Sequence, residues 1–525
     1  MSRVPSDSES QCQGRFSSAV EPEFVRICSC FSCFFRSINR GFIIIFRMCE
    51  KEVSSDVKEE GRGNHCMGSI KHYVKKRIPI LEWLPNYKWK EYFFRDLTCG
   101  FTLACIHVPQ SLAFSMLANV DLVYGLYTTC FTGIVYTILG TAHVSSFGPV
   151  AIGSMITGEA VSLASGKGFS NSEIATTVTF LIGVIYMVGF LLRFGIFTII
   201  FKKNFISAFV AGCTCHILAK SLKLLIGVKI KSHYGVFNCP LNIYNFVINL
   251  GQTNLWTLGI SVVVISIFIM NMVVFKPLVA KYTKIVIPIE AITMLIVGLV
   301  SYLCDFEGKG VPVVGYVPSG LPSPILPRWE LFQSVLGSAV TTALINFSSS
   351  TSMTMLFNKG LKPDQEMFAM AVANLICANF QCITIGNSMM RTRVAVTLGL
   401  KTLMSTFIAS MLMLLIILYV GPLFTPMPTA VLGCVIFLST SLLLLDRAKE
   451  VIPICRKSWE DAFLYCATFL VTFFGDVMFG LLVGGLLALK QILKDVPKEE
   501  IIVDKTPESE KLLDEQQNKP KLASV

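Results

Sequence analysis

The 525-residue chain is 53% hydrophobic and only 15% charged, with a mean hydropathy of +0.63, whereas soluble domains are roughly a quarter charged; the bilayer is therefore its main solvent. The formal charge of +11 does not point to nucleic acid, because Lys and Arg fall in short clusters between apolar runs instead of along one basic face. The 18 cysteines are scattered, many within apolar runs, which argues against a secreted disulfide framework.

Residues 1–90 carry no secretory signal, since the apolar patch Phe42 to Phe46 is too short and the flanks are polar. They are expected to form a cytosolic, largely disordered tail in which Cys28, Cys30 and Cys33 are acylation sites, metal ligands or plain tail residues; no histidine or second Cys pair lies nearby to favour the metal. A transmembrane domain is expected over 91–493, followed by a short cytosolic tail, 494–525. Taking about 20 apolar residues as one crossing, the first half predicts spans near 97–117, 121–140, 174–193, 205–227, 256–275 and 283–304. The second half predicts 332–357, 366–383, 402–420, 427–445, 459–475 and 476–493, the last two short enough for a hairpin.

Two more apolar segments, 145–165 and 384–399, are interrupted by Gly, Pro and Ser, and the second carries two arginines. Broken segments in matching positions of two halves point to discontinuous helices meeting near the membrane midplane, here the third and tenth crossings. The fold class is thus an all-α polytopic membrane protein of about fourteen crossings. Lys202 and Lys203; Lys276, Lys281 and Lys284; Lys359 and Lys362; and Arg447, Lys449, Arg456 and Lys457 then fall on one side, expected to be cytosolic together with both termini. The opposite loops, 229–255 and 305–330, are longer and poorer in positive charge, and Cys239 and Cys304 lie where they can meet outside.

An arginine at the centre of a span costs roughly 2.5 to 3.5 kcal/mol, so it faces a cavity or a partner. Arg391 follows Gly386, Asn387 and Ser388, residues that break or cap a helix and leave backbone N–H groups free. A positive helix end beside a guanidinium is an anion site. The competing reading makes Arg391 and Arg393 topogenic charges, which suits Arg393 better. Gly148 to Ser154 fits either a helix that starts at depth, with Pro149 in its first turn, or a kinked helix. Gln110, beside Pro109, lines a cavity or makes an interhelical bond; Phe114 shares its face and is core by default. Glu290 serves ion or proton coupling, or caps its helix; Glu159, near an outer end, is expected to be solvent-exposed. There is no GxxxxGK[ST], no HExxH and no clustered Cys/His pattern, so no enzyme, metal or cofactor is expected. The glycosylation sequon at Asn346 falls inside a predicted span.

Val108-Pro-Gln-Ser-Leu-Ala-Phe-Ser-Met-Leu117, Tyr124-Gly-Leu-Tyr127, Gly140-Thr141 with Gly148-Pro149, Pro288-Ile-Glu290, Asp364-Gln-Glu366, and Arg391-Thr392 through Lys401-Thr402 follow one another in order. By these motifs, over nearly all of residues 70–493, the chain resembles the sulfate permease family of anion transporters, which includes animal sulfate/chloride/bicarbonate exchangers and prestin-like members. The resemblance implies seven plus seven inverted repeats, core and gate domains, a homodimer in the plasma membrane, and elevator-like exchange of small anions such as sulfate, chloride, bicarbonate or oxalate. It implies an anion held by Gln110, Phe114, Val150, Ser388, Met390 and Arg391. Met390 departs from a common small hydroxyl residue, Val150 from a common Phe, and His143 from a usual Arg. Only about 30 residues follow Leu493, short of the roughly 50 of a small domain, so the family's cytosolic STAS domain is expected to be missing. An anion channel or a non-transporting, anion-dependent voltage sensor are the alternative functions; nucleobase transport is disfavoured by an Arg where acidic groups are needed.

Overall fold

The computed structural model describes residues 77–194, 203–228, 230, 232–282, 287–357, 363–400 and 402–495. Residues Glu60–Leu486 form one compact unit, while 487–495 are the described part of a second, Met1–Glu59 with Leu487–Val525. The tail cysteines, and the loop residues Lys202, Lys284, Lys359, Lys362 and Lys401, lie outside the described residues.

The first half contains α1 (Trp89–Leu117), α2 (Val123–Leu139), strand β1 (Phe147–Pro149), α3 (Ala151–Ala164), α4 (Asn171–Leu191), α5 (Lys203–Ile226), α6 (Leu255–Met270) and α7 (Ile289–Cys304). The second contains α8 (Phe332–Phe357), α9 (Pro363–Ala378), strand β2 (Ile385–Asn387), α10 (Met389–Thr397), α11 (Met404–Leu415), α12 (Thr429–Lys457), α13 (Trp459–Phe474) and α14 (Val477–Asp495). Among the described residues, seven helices are long and apolar enough to cross a bilayer, and three shorter apolar helices add to them. The protein is a mostly helical, multi-pass membrane protein. Backbone polar groups have no water to bond in hydrocarbon, which leaves helices as the way across for a chain this apolar.

Burial separates the helices by role. In α1 the most apolar stretch is 78% buried inside the protein, whereas in the continuous run Leu255–Val279, containing α6, it is 17% buried. On α7, Leu295, Ile296, Leu299, Tyr302 and Leu303 also point outward. Such a surface aggregates in water but is matched by acyl chains. Inside, α4 packs on α9 and α8, α1 on α11, and α5 on α12 and α13. Local chemistry sets the ends: the Ser170 hydroxyl accepts from Glu173 N–H while Glu173 accepts from Ser170 N–H, a capping box that starts α4. Arg328 closes on the same carboxylate at 2.6 Å.

Several expectations change. Residues 229–255 contain a helix, Asn238–Ile248, with few buried side chains. Cys239 is buried and Cys304 exposed, and both are free thiols, so the outer disulfide does not form. Glu159 is 7% exposed, not solvated, with Gly235 and Asn238 beside its carboxylate. The helix foreseen at 427–445 runs on to Lys457, because Asp446, Arg447, Lys449 and Glu450 continue it as a polar extension beyond the apolar run.

Candidate functional site

The two interrupted segments meet. β1 and β2 pair antiparallel, with Phe147 opposite Asn387, Gly148 opposite Gly386 and Pro149 opposite Ile385. Each strand runs straight into a helix, α3 with Val150 at its N-cap and α10 with Ser388 at its N-cap. Neither N-cap side chain bonds into its helix, so the first-turn N–H groups of both keep their positive ends uncapped by side chains. Gly386 is required where the strands cross: a Cβ there would sit 2.9 Å from Val150 Cγ2.

The pair is pinned from behind by α8. Asn346 Nδ2 donates to Ile385 O at 3.1 Å, and Asn387 N–H donates to Ser350 Oγ at 2.9 Å. Asn387 Nδ2 reaches Ser145 Oγ at 3.1 Å and Thr354 Oγ1 at 3.3 Å, while its Oδ1 accepts from Thr392 Oγ1 at 2.7 Å. Ser388 N–H completes the frame by donating to Ser146 O. Buried amides and hydroxyls satisfy the ladder that two three-residue strands leave open.

Arg391, on the first turn of α10, is 0% exposed. Its Nη1 donates to Gln110 Oε1 at 3.0 Å and its Nη2 to Pro149 O at 3.1 Å, and its Nε has no partner. Both acceptors are neutral, and none of the ion pairs among the described residues includes Arg391. A fully buried guanidinium without a carboxylate, set between two helix N-termini, is chemically suited to an anion. Gln110 is presented by α1, in which Pro109 has no N–H for the carbonyl four residues back. Gln110 Nε2 points to Met390 Sδ at 3.7 Å.

The structure thus joins Gln110, Met390 and Arg391 directly and places Val150 and Ser388 at the two helix starts. Phe114 is buried one turn beyond Gln110 on α1. Met390 is 36% exposed, the most open of the group. Glu290 is not joined to it: the residue starts α7, half-buried, with Oε2 unpartnered. Arg393 faces away and pairs with Asp446 at 3.0 Å, and His143 is exposed. Asn346 is held inside the protein by β2, so its sequon is inaccessible.

Sequence reading overlooked His107, Ser146 and Ser350, and it noticed Asn346, Asn387 and Thr392 without assigning them the contacts that hold the strand pair. One signal was present, the polar run Asn346 to Thr354 inside an otherwise apolar span. Among the described residues no group of His, Cys, Asp and Glu side chains is placed to hold a metal ion.

A sulfate permease family profile matches residues 93–468. The chain is 31% identical to prestin of Danio rerio over 439 residues, 78% of this chain and 58% of that protein. It is 29% identical to an anion exchange transporter of Mus musculus over 461 residues, 82% of this chain and 69% of that one. The chain therefore spans under two thirds of the length of the prestin it matches. In three dimensions it resembles the murine Slc26a9 anion transporter in its inward-facing state, with a TM-score of 0.76 and 26% identity, covering 84% of this chain and 75% of that one. With the matched profile extending over most of the membrane-embedded helices and both strands, this chain belongs to the sulfate permease family.

Proposed function

We propose that the chain is a secondary active transporter that exchanges small anions of the sulfate, chloride, bicarbonate and oxalate class. The observation that carries this reading is Arg391: a buried cation, bonded only to neutral acceptors, between the starts of α3 and α10. Gln110, Phe114, Val150, Ser388, Met390 and Arg391 form its anion site; no cofactor is involved.

In this reading α1 to α14 are fourteen crossings in seven-plus-seven inverted repeats, α3 and α10 being the discontinuous pair. The packing supports the symmetry, because exchanging the halves turns α1·α11 into α8·α4 and α2·α11 into α9·α4, while β1·β2 and α5·α12 map onto themselves. Helices α1–α4 with α8–α11 form a core, and α5–α7 with α12–α14 a gate. The core carries the anion past the gate in an elevator-like movement. The transport domain spans 91–493, with both tails cytosolic, in a plasma-membrane homodimer. Glu290, on the gate, is assigned to ion or proton coupling.

The test is uptake of radiolabelled sulfate, chloride, oxalate and bicarbonate into proteoliposomes, with Arg391→Ala beside the unsubstituted chain. Loss of flux in the variant is expected. Equal flux removes Arg391 from the mechanism, and absence of both binding and flux in the unsubstituted chain removes the function. Binding with gating charge but no uptake selects the voltage-sensing alternative.

A further inference from the structure

Between α5 and the helix Asn238–Ile248 runs a short strap, residues 232–237, that is fastened to the gate at both ends. Ser232 Oγ accepts from Lys223 Nζ of α5 at 2.7 Å, and Phe237 N–H donates to Phe474 O, at the end of α13, at 2.9 Å. Between these points His233 N–H donates to Asn242 Oδ1 at 2.9 Å, while Asn242 Nδ2 donates back to His233 O at 3.1 Å. The Lys220 ammonium of α5 lies 5.1 Å from the centre of the Tyr234 ring, within reach of cation–π attraction. The gate therefore holds the strap backbone and the Tyr234 ring.

The Tyr234 hydroxyl meets the core instead. It shares a hydrogen bond with Ser162 Oγ on α3 at 2.7 Å. Glu159, three residues earlier and on the same face of α3, has Gly235 and Asn238 beside its carboxylate. Ser162 itself is knitted to the core: Asn119 ends α1 in the left-handed region, with φ 55°, and its Nδ2 donates to Gly158 O at 3.1 Å and to Ser162 Oγ at 2.8 Å, reaching the Tyr234 hydroxyl at 3.5 Å. With one set of anchors on the gate and another on the core, the Tyr234–Ser162 bond crosses from one to the other. Both residues are half-buried, so water takes the place of each partner when the bond opens, and the bond is worth no more than an ordinary one.

The opposite end of the seam is built differently. Exchanging the halves turns α3 into α10 and α5 into α12, and there core and gate meet through Arg393 and Asp446, about half exposed on both sides, with Met390 at 36% exposure. At the strap end Cys213, seven residues before Lys220 and on the same face of α5, is 0% exposed, with Glu159 near it. The seam is sealed at the strap and open at its other end.

We infer that residues 232–237 are a latch on the transport path: Tyr234, carried by the gate, bonds Ser162 on the core and holds the outer mouth shut, and this bond opens each time the core moves past the gate. The inference rests on the core-and-gate reading and its topology, in which this end of α1, α3 and α5 is the outer one, and adds to it a residue pair that biases the side to which the site faces. Removing either hydroxyl deletes one half-buried hydrogen bond, which shifts the ratio of open to closed mouths by about two- to tenfold.

Cys213 is the reporter, since its thiol reacts with a membrane-impermeant maleimide only where water reaches it. The reagent is added to the outer face of sealed vesicles carrying the full-length chain, and labelling is followed by peptide mass spectrometry in the unsubstituted protein, Tyr234→Phe, Ser162→Ala and the double variant. Cys304, exposed at the end of α7, sets the scale, and Cys130, buried with its thiol against Ser410 O of α11, reports unfolding. Each single variant is expected to label Cys213 about two- to tenfold faster, and the double variant no faster than either, because all three lose the same bond. Cys213 labelling that is unchanged in both single variants, or an acceleration that Cys130 shares, overturns the latch. If Tyr234→Phe is not recovered folded, Ser162→Ala decides by the same two outcomes. The transport reading fails separately, in the uptake assay: a chain that carries no anion while Cys213 still responds to Tyr234→Phe keeps the latch and loses the exchanger, and one that transports with Cys213 labelled alike in every variant does the reverse.

Discussion

Arg391 Nη1 and Gln110 Oε1, 281 positions apart in the chain, meet at 3.0 Å and tie the first turn of α10 to the C-terminal half of α1. Gln110 holds the guanidinium in a fixed direction without neutralising it. Gln110→Ala is therefore expected to keep the positive charge and lose its aim, weakening sulfate binding by about 1.5 to 3 kcal/mol, the usual worth of a hydrogen bond to a charged group. Isothermal titration of the variant checks this; unchanged affinity means that the contact is structural only.

Arg391→Lys tests geometry against charge. An ammonium keeps the cation but has no planar fork: its three N–H groups diverge from one nitrogen, whereas Arg391 meets Gln110 and Pro149 from two separate nitrogens. Uptake is expected to fall at least about tenfold below that of the unsubstituted chain. A lysine variant with full flux would show that charge alone suffices.

Arg393 provides the contrast. Its ion pair with Asp446 is about half exposed on both sides, and such pairs are worth roughly 0 to 1 kcal/mol. Arg393→Ala is expected to leave the melting temperature and anion affinity near those of the unsubstituted protein. A large loss of affinity would return Arg393 to the site.

Gly386→Ala adds a methyl 2.9 Å from Val150 Cγ2 and 3.5 Å from Asn346 Cγ. Overpacking of this kind costs about 1 to 3 kcal/mol, and here it pushes the two strands apart. Thermal melts in detergent should show destabilisation that a second substitution, Val150→Ala, relieves. Failure of the double variant to recover stability would place the strain elsewhere.

Glu366 bonds to none of the residues proposed to hold the anion. Its carboxylate accepts from the Tyr136 hydroxyl at 2.7 Å, from Thr141 N–H at 3.0 Å and from the Thr141 hydroxyl, all in the buried seam between α9 and α2. Glu366→Gln replaces one acceptor oxygen by a donor facing other donors, which costs about 1.5 to 3 kcal/mol of stability. The expected pattern is a lowered melting temperature with an unaltered sulfate Kd. A shifted Kd at unchanged stability would assign Glu366 to the transport path instead.

Much of the site was legible because a membrane makes polar residues conspicuous. Arg391 and Gln110 stood out as polar groups in apolar runs, and Gly148-Pro149 and Gly386-Asn387-Ser388 stood out as breaks; hydrocarbon tolerates neither without a purpose. Glu159 misled for the same reason that it was noticed. Position near a helix end suggested water, but Gly235 and Asn238, from a loop and a helix that no periodicity had revealed, close over it. His107 was passed over because one imidazole in an apolar segment looks like core until its neighbours are known.

By itself the sequence determined the solvent, the order of the apolar helices, the two interrupted segments and the family, since each depends on composition or on motifs along the chain. Only the tertiary structure decided what those interruptions do. Pairing Gly148 with Gly386 brings segments from opposite halves into one short ladder, and that pairing places Arg391 against Gln110 and Pro149 and leaves its Nε unmet. A site assembled from residues hundreds of positions apart is fixed by close packing and by the need of every buried polar group for a partner, and neither of these is written in the local order of the residues.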